Sequence, residues 1–556
     1  MAIAAAACGE SPMATSAARV DPLFATWNRP DSPGCGVGVS RNGAVIFEHG
    51  YGMASLERKV PITSSTVFPL ASITKAFTAM SVLLAAERGL LALDDDVSKY
   101  VPDWSNREQR ITIGHVLTHT SGLRDAYLLQ GWAPNIGNST DAFVKILSRQ
   151  RGLNSVPGAE YQYNNGGYLL LGRILERASG QTLGAFADAN LFKPLGMTGA
   201  YFSGDPVRTA PDHASGYSPQ VNGWRLLPES SGYAGNAGMM SSVRDLLLWA
   251  NNFADARVGT PALLARMQTA TVLTGGQATQ SGMGFGLGDY RGARTVRAAG
   301  GDVGVATELV MFPDHRGAIA VLCNMDSAVM GGLATVNAED LAKRVADIFL
   351  EDVLEPRPPG TSASSSAGTP PPPPVNLSAD ELAGRTGLYR FGSDENYIVS
   401  ISVRDGKLTL RDFYGDNYDM PVTPISRSRV LIAGTTPLEF APAEAGRPRA
   451  WHLIDGEGRR LIELPLMKFD TSKADLESFA GHYRSDELDV TYTVAVRDSS
   501  LVVQSSTLHP VFKDAFVGDY LGTVRFLRDA RGAVTAFTLN RKSARGVRFE
   551  RTSQLR

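Results

Sequence analysis

The sequence predicts an α+β domain followed by two antiparallel β modules. Three observations carry this. A Pro/Ser-rich stretch from Glu355 to Asn376 divides the chain, the part before it mixes helical and strand-like patterns without regular alternation, and the part after it repeats itself. With 556 residues the chain exceeds the roughly 250 to 300 residues at which single cores stop growing, so two or three domains are expected.

The elements follow in chain order. Ala4 to Ala7 ahead of Cys8 and Gly9 resemble the end of a bacterial lipoprotein signal, in which small residues precede a lipidated cysteine. The stretch before it is short and lacks a basic start, so Cys8 is a candidate lipid anchor without a working leader as written. From Gly36 to Phe47 two β-prone runs flank Arg41-Asn42-Gly43, a hairpin signal. After Ser72, Ile73, Phe77, Met80 and Leu84 recur at helical spacing until Gly89 closes the segment. A second helix is expected over Tyr168 to Ala178, and a third from Ser242, with Asp245 completing a capping box. Strands return at Glu308 to Phe312 and Ala318 to Leu322.

In the tail, Leu382 through Tyr389-Arg390, then Asp394-Glu395 and Val403-Arg404-Asp405, recurs as Leu476 through Tyr483-Arg484, Asp486-Glu487 and Val496-Arg497-Asp498. Alternating runs such as Ile398, Ser400, Ser402 and Lys407-Leu408-Thr409-Leu410 lie between, so each copy reads as a small barrel or half-barrel.

Composition excludes several classes. Lys plus Arg (54) balance Asp plus Glu (56) to a net charge of −2, which leaves no basic footprint for nucleic acid. No run of roughly 18 apolar residues is present to span a bilayer as a helix. Cys8, Cys35 and Cys323 stand singly and far apart, unlike a disulfide framework or thiolate metal site, and Cys35 and Cys323 read as small buried hydrophobes. His115 and His119 are four apart but lack the glutamate of a His-Glu-x-x-His zinc pair. Asp94-Asp95-Asp96 lacks the alternating oxygen ligands of a calcium loop and reads as a solvated turn. His213, His452, His482 and His509 have no spacing partners and read as surface or module-core residues.

Two constellations carry chemistry. Ser72-Ile73-Thr74-Lys75 at a helix start puts a hydroxyl and an amine on one face, so an uncharged lysine can take the serine proton. The helix N-terminus favours developing anions there. Tyr161 through Tyr168, following Pro157-Gly158, places Tyr163 two residues before Asn165, offering a phenolic acid/base and a carboxamide to one pocket.

Together with Phe68 to Phe77, Ile113 to Leu123, Ala237 to Asp245 and Gly300 to Gly304, these segments resemble, in order, the serine β-lactamase-like and penicillin-binding hydrolases, in particular the class C β-lactamase and D-aminopeptidase branch. The resemblance implies a β-lactamase/transpeptidase-like α+β catalytic domain followed by two antiparallel β-barrel, lipocalin-like modules. The chain then divides into an N-terminal segment 1–20, a catalytic domain 21–355, a linker 356–376 and modules 377–468 and 469–556.

The family's roles fall on particular residues. Ser72 is implied as the nucleophile, Lys75 as its base, and Tyr163 as the proton shuttle. Asn165 would hold Lys75 and the substrate amide, and the backbone N–H groups of Ser72 and Gly301 would form the oxyanion hole. The family's Lys-Thr-Gly, His-x-Gly or Trp-x-Gly triplet is here Ala298-Ala299-Gly300. This site edge therefore lacks the cation or ring that grips a substrate carboxylate, and Arg297 points to the opposite face of its strand. No metal or cofactor is called for.

The implied activity is a serine hydrolase working through an acyl-enzyme, a peptidase on short peptides with D-residues or non-ribosomal features, linearised cyclic toxins among them. A carboxylesterase and a non-hydrolytic penicillin-binding-like receptor are the alternatives. The expected location is a bacterial envelope or periplasm, with the cytoplasm as the alternative, and the oligomeric state is open.

Overall fold

The computed structural model describes residues 12–101, 103–104, 108–137, 139–203, 213–220, 223–227, 234–326, 336–356, 373–414, 419–432, 436–444, 448–455, 458–467, 469 and 473–552. Cys8 and most of the linker lie outside them. The chain forms two compact units, one of residues 1–100, 111–121 and 167–368, the other of residues 101–110, 122–166 and 369–556.

The first unit is built on an antiparallel six-stranded sheet of β1 (Cys35–Arg41), β2 (Ala44–Tyr51), β3 (Gly286–Tyr290), β4 (Ala293–Asp302), β5 (Val305–Phe312) and β6 (Gly317–Cys323), in spatial order β3-β4-β5-β6-β1-β2. The predicted hairpin is β1–β2, its two-residue turn made by Asn42 (φ 52°) and Gly43 (φ 81°), the positive-φ pair that matches strand twist. Cys35, Val37 and Val39 face a core shared with the helices α1 (Pro12–Phe24), through Val20 and Phe24, and α5 (Ala338–Phe349), through Leu341, Val345 and Phe349. Gly36 and Gly38 alternate to the other face. There a Cβ on Gly38 would lie 2.8 Å from Leu247 Cδ1, so the missing side chain is what lets the helix α4 (Val243–Asp255) approach.

Cys35 and Cys323 are directly opposite each other on β1 and β6 and form a disulfide. This corrects their reading as isolated apolar residues. They are separated by 288 residues in sequence, and only the pairing of an N-terminal strand with a late one joins them.

The predicted helix is α2 (Thr74–Glu87), entered through a 3-10 turn at Ala71–Ile73 and ended at Gly89 (φ 70°). Its periodic apolar face understates its burial, because every residue from Thr74 to Ala85 is buried. The polar ones are satisfied internally: Ser81 donates to Phe77 O (2.8 Å) and Thr78 to Gly235 O (2.7 Å). The second predicted helix, α3, covers Asn165–Ser179. Ser242 caps α4 by accepting from Asp245 N–H (3.2 Å), but Asp245 accepts from Gly199 N–H (2.9 Å), a long-range use of the carboxylate expected to close the box.

In the second unit the tail forms two closed eight-stranded barrels, as the repeat predicts. The first runs from β7 (Gly387–Arg390) to β14 (Arg460–Met467), the second from β15 (Gly481–Ser485) to β22 (Ala544–Thr552). The repeated tyrosines, Tyr389 and Tyr483, sit on the first strand of each barrel and are fully buried. Each phenol donates to the carbonyl four residues back, Arg385 O and Phe479 O, both at 2.7 Å. Side chains fill the interiors, the second largely with rings such as Phe537 stacked on Phe549 at 4.6 Å.

Candidate active site

Ser72 lies in the 3-10 turn ahead of α2, and Ala71 before it holds φ 46°, a left-handed conformation that costs a non-glycine residue energy. The three-residue spacing brings Lys75 Nζ to 3.0 Å from Ser72 Oγ. Lys75 is buried, and its amine also donates to Asn236 O (2.9 Å) and lies 6.0 Å from the centre of the Tyr168 ring. The stretch carrying Asn236 packs against the start of α2: Met239 O accepts from Leu70 N–H (2.9 Å), and Met239 N–H donates to Thr74 Oγ1 (3.2 Å).

Strand β4 runs against this turn. A Cβ on Gly300 would stand 2.2 Å from Leu70 O and 2.3 Å from Thr307 Oγ1, closer than real Cβ contacts, so glycine is required for the strand to pass. Thr307, opposite Gly300 on β5, ties the two together by donating to Leu70 O (3.0 Å) and Gly300 O (3.3 Å). Gly301 follows as an exposed residue of the strand. Ala298 is buried, and Arg297 is spent elsewhere: its guanidinium meets Glu308 (2.9 and 3.0 Å) and Glu339 (2.7 Å).

His119 is buried near this amine, at φ 57°, its ring tilted over Tyr168 at 4.9 Å. Burial pushes the imidazole down to about 3, and a proton on Lys75 would push it the same way, so it is neutral at ordinary pH. His115 instead caps its own short helix, accepting at Nδ1 from Thr112 N–H (3.3 Å). Asp95 binds Tyr100, Lys99 and the Ala92 amide, an internal turn clasp.

Tyr163 and Asn165 belong to the second unit, on the 122–166 segment. Tyr163 is 44% exposed, whereas Asn164 beside it is buried and donates to Leu123 O (2.7 Å). Asp125 caps the start of α3, one carboxylate oxygen accepting from Asn165 N–H (2.7 Å) and Gly166 N–H (3.4 Å), while its other oxygen accepts from Tyr127 N–H (2.9 Å). The seven predicted residues thus fall into two groups: Ser72, Lys75, Ala298, Gly300 and Gly301 in the first unit, Tyr163 and Asn165 in the second.

Sequence reasoning missed Thr307, Asp125 and the carbonyl of Asn236. A threonine inside a β run and an aspartate in a loop carry no distinguishing local pattern, and a backbone oxygen carries none at all.

Comparison with known proteins decides the family, because the family described as Beta-lactamase matches residues 20–342. This chain belongs to the β-lactamase family. It lies within the serine hydrolase superfamily. The chain is 29% identical over 314 residues to a D-aminopeptidase of Gluconobacter oxydans, covering 56% of this chain and 59% of that protein. It is 24% identical to a D-aminopeptidase of Brucella anthropi over 93% of this chain and 95% of that one. The octameric penicillin-binding protein homologue from Pyrococcus abyssi, at 21% identity and a TM-score of 0.54, covers 81% of this chain and 98% of its own, a likeness of fold. In this β-lactamase family member, Ala298-Ala299-Gly300 on β4 offers neither a cation nor a ring.

Proposed function

We propose that this protein is a serine hydrolase that cleaves amide bonds of short peptides, with D-residues or non-ribosomal features, through an acyl-enzyme. The observation that carries the reading is the 3.0 Å contact between a buried lysine amine and the hydroxyl at the head of α2. The resemblance of nearly the whole chain to the D-aminopeptidase of Brucella anthropi supports the substrate class.

In this reading Ser72 Oγ bonds to the substrate carbonyl carbon as its proton passes to Lys75, with the amine uncharged. Backbone N–H groups of Ser72 and Gly301 hold the oxyanion. Tyr163 relays the proton to the departing amine, the C–N bond breaks, and a water activated by the same groups hydrolyses the Ser72 ester. Asn165 orients Lys75 and the substrate amide. The division into a catalytic domain 21–355, a linker 356–376 and modules 377–468 and 469–556 belongs to the same proposal.

A second reading, a carboxylesterase, is favoured by the alanine at 298. An alcohol leaving group needs less protonation than an amine, so a strand without a side-chain acid is tolerated better. Turnover of D-amino-acid amides, p-nitrophenyl esters and nitrocefin, measured side by side, separates the two. Ser72→Ala should abolish turnover without loss of fold, and full activity in that variant refutes the assignment. The Cys35–Cys323 bond supports maturation in an oxidising compartment such as the bacterial envelope. Mass analysis of the native N-terminus tests a lipid at Cys8.

A further inference from the structure

The two-residue turn between β21 (Val534–Arg541) and β22, with the start of β22, makes an unusual set of bonds within the second unit. Four of its carbonyls point at the 122–166 segment. Lys542 O accepts from Gln162 Nε2 (2.6 Å), and Ser543 O accepts from Asn154 Nδ2 (2.9 Å) and Asp125 N–H (2.6 Å). Arg545 O and Gly546 O accept from Arg124 Nε (2.8 Å) and Nη2 (2.9 Å). Asn154 completes the bridge. Its Oδ1 accepts from Arg545 N–H (2.8 Å), and its Nδ2 also donates to Gln162 Oε1 (2.6 Å).

Arg124 secures this from below. Its side chain is 4% exposed and its Nη1 donates to Gln150 Oε1 (2.9 Å) and Glu487 Oε2 (3.0 Å). Glu487 comes from the same barrel, and its other oxygen accepts from Arg151 N–H (2.5 Å) and Gly152 N–H (3.2 Å). A buried cation met on every side by fixed acceptors resists displacement, because any movement strands charge in a low dielectric.

The chain order gives this clasp its meaning. Gln162, held at both ends of its amide, is the residue before Tyr163. Asp125, held at its backbone by Ser543, caps the helix that begins at Asn165. We infer that the second barrel is a splint for the proton-transfer tyrosine: Asn154 and Gln162 are positioning residues that lock the Tyr163–Asn165 loop to the 542–546 hairpin. The barrel is then part of what makes turnover fast. This rests on the proposed role of Tyr163.

A double-mutant cycle on the full-length protein tests it. Asn154→Ala is expected to lower kcat on the order of 100-fold, the usual cost of misplacing a reacting group by about 1 Å. KM should move less than about 3-fold, and labelling of Ser72 by a fluorophosphonate should persist. In a Tyr163→Phe background, where no phenol is left to misplace, the same substitution should cost under about 3-fold. Gln162→Ala serves identically if Asn154→Ala does not fold. An unchanged kcat, an equal loss in both backgrounds, or loss of labelling together with turnover overturns the inference. Labelling that survives Ser72→Ala overturns instead the reading on which it rests.

Discussion

Adding a single methyl group at Gly300 tests how closely catalysis depends on the approach of β4 to the turn that carries Ser72. The new Cβ would lie 2.2 Å from Leu70 O and 2.3 Å from Thr307 Oγ1, and 3.2 Å from Ala71 Cβ. Ordinary contacts begin near 3.4 Å, so the strand or the turn must give by about 1 Å. Neither neighbour can swing away cheaply, since one is backbone and the other is a threonine bonded to both elements. Overpacking of this kind costs about 1 to 3 kcal/mol of stability. Spreading Gly301 from Ser72 by about 1 Å should cost roughly 100-fold in kcat, or about 2.7 kcal/mol of activation free energy. The assay is kcat and KM on whichever amide or ester the wild type turns over, with thermal unfolding alongside. Gly288→Ala, where a Cβ meets only Thr295 Oγ1 at 3.4 Å, is the control and should be near neutral. Wild-type kcat in Gly300→Ala would show that this contact does not set the geometry of the site.

Three further outcomes are expected. Burial raises the Asp245 carboxyl to about 6, from an ordinary 3.8, against the bonds from Gly199 and Ser242. The folded state therefore holds this proton more tightly than the unfolded one. Its contribution is present below about pH 4 and is lost as pH rises through 6, a change of about 3 kcal/mol. Urea unfolding at pH 4 and pH 7 should show wild type losing stability relative to Asp245→Asn by that order on going from pH 4 to pH 7, and a pH-independent difference refutes it. Cys35→Ala should lower unfolding free energy by up to about 5 kcal/mol, given the 288-residue separation of the bonded pair. Non-reducing peptide mapping should recover the Cys35 and Cys323 peptides joined. Tyr389→Phe and Tyr483→Phe each remove one buried bond to a carbonyl four residues back, so each should cost about 1 to 2 kcal/mol. Equal losses would confirm that the two barrels use the repeated residue in the same way.

Much of this was legible in the residues. Asn42-Gly43 announced a hairpin because few residues adopt positive φ in tandem, and Gly89 announced the end of α2 for the same reason. The recurrence of Tyr389 at Tyr483 marked two copies of one barrel, since each copy needs the same buried anchor at its first strand. Ser72 and Lys75 were readable because three residues on a helix put two side chains together whatever surrounds them. Asp245 shows the limit: its spacing from Ser242 matched a capping box, yet its carboxylate turned to Gly199, a partner 46 residues away.

The residues alone determined the local periods, the turn chemistry, the linker composition and the Ser72–Lys75 contact, because each depends on interactions between near neighbours in the chain. Tertiary structure decided the rest. It paired Cys35 with Cys323, set Gly300 against Leu70, brought the Asn236 carbonyl to Lys75, and joined Asn154 to a hairpin 389 residues further on. These contacts exist because close packing of sheets and barrels fixes which distant surfaces meet, and no pattern within a few residues of either partner encodes that meeting.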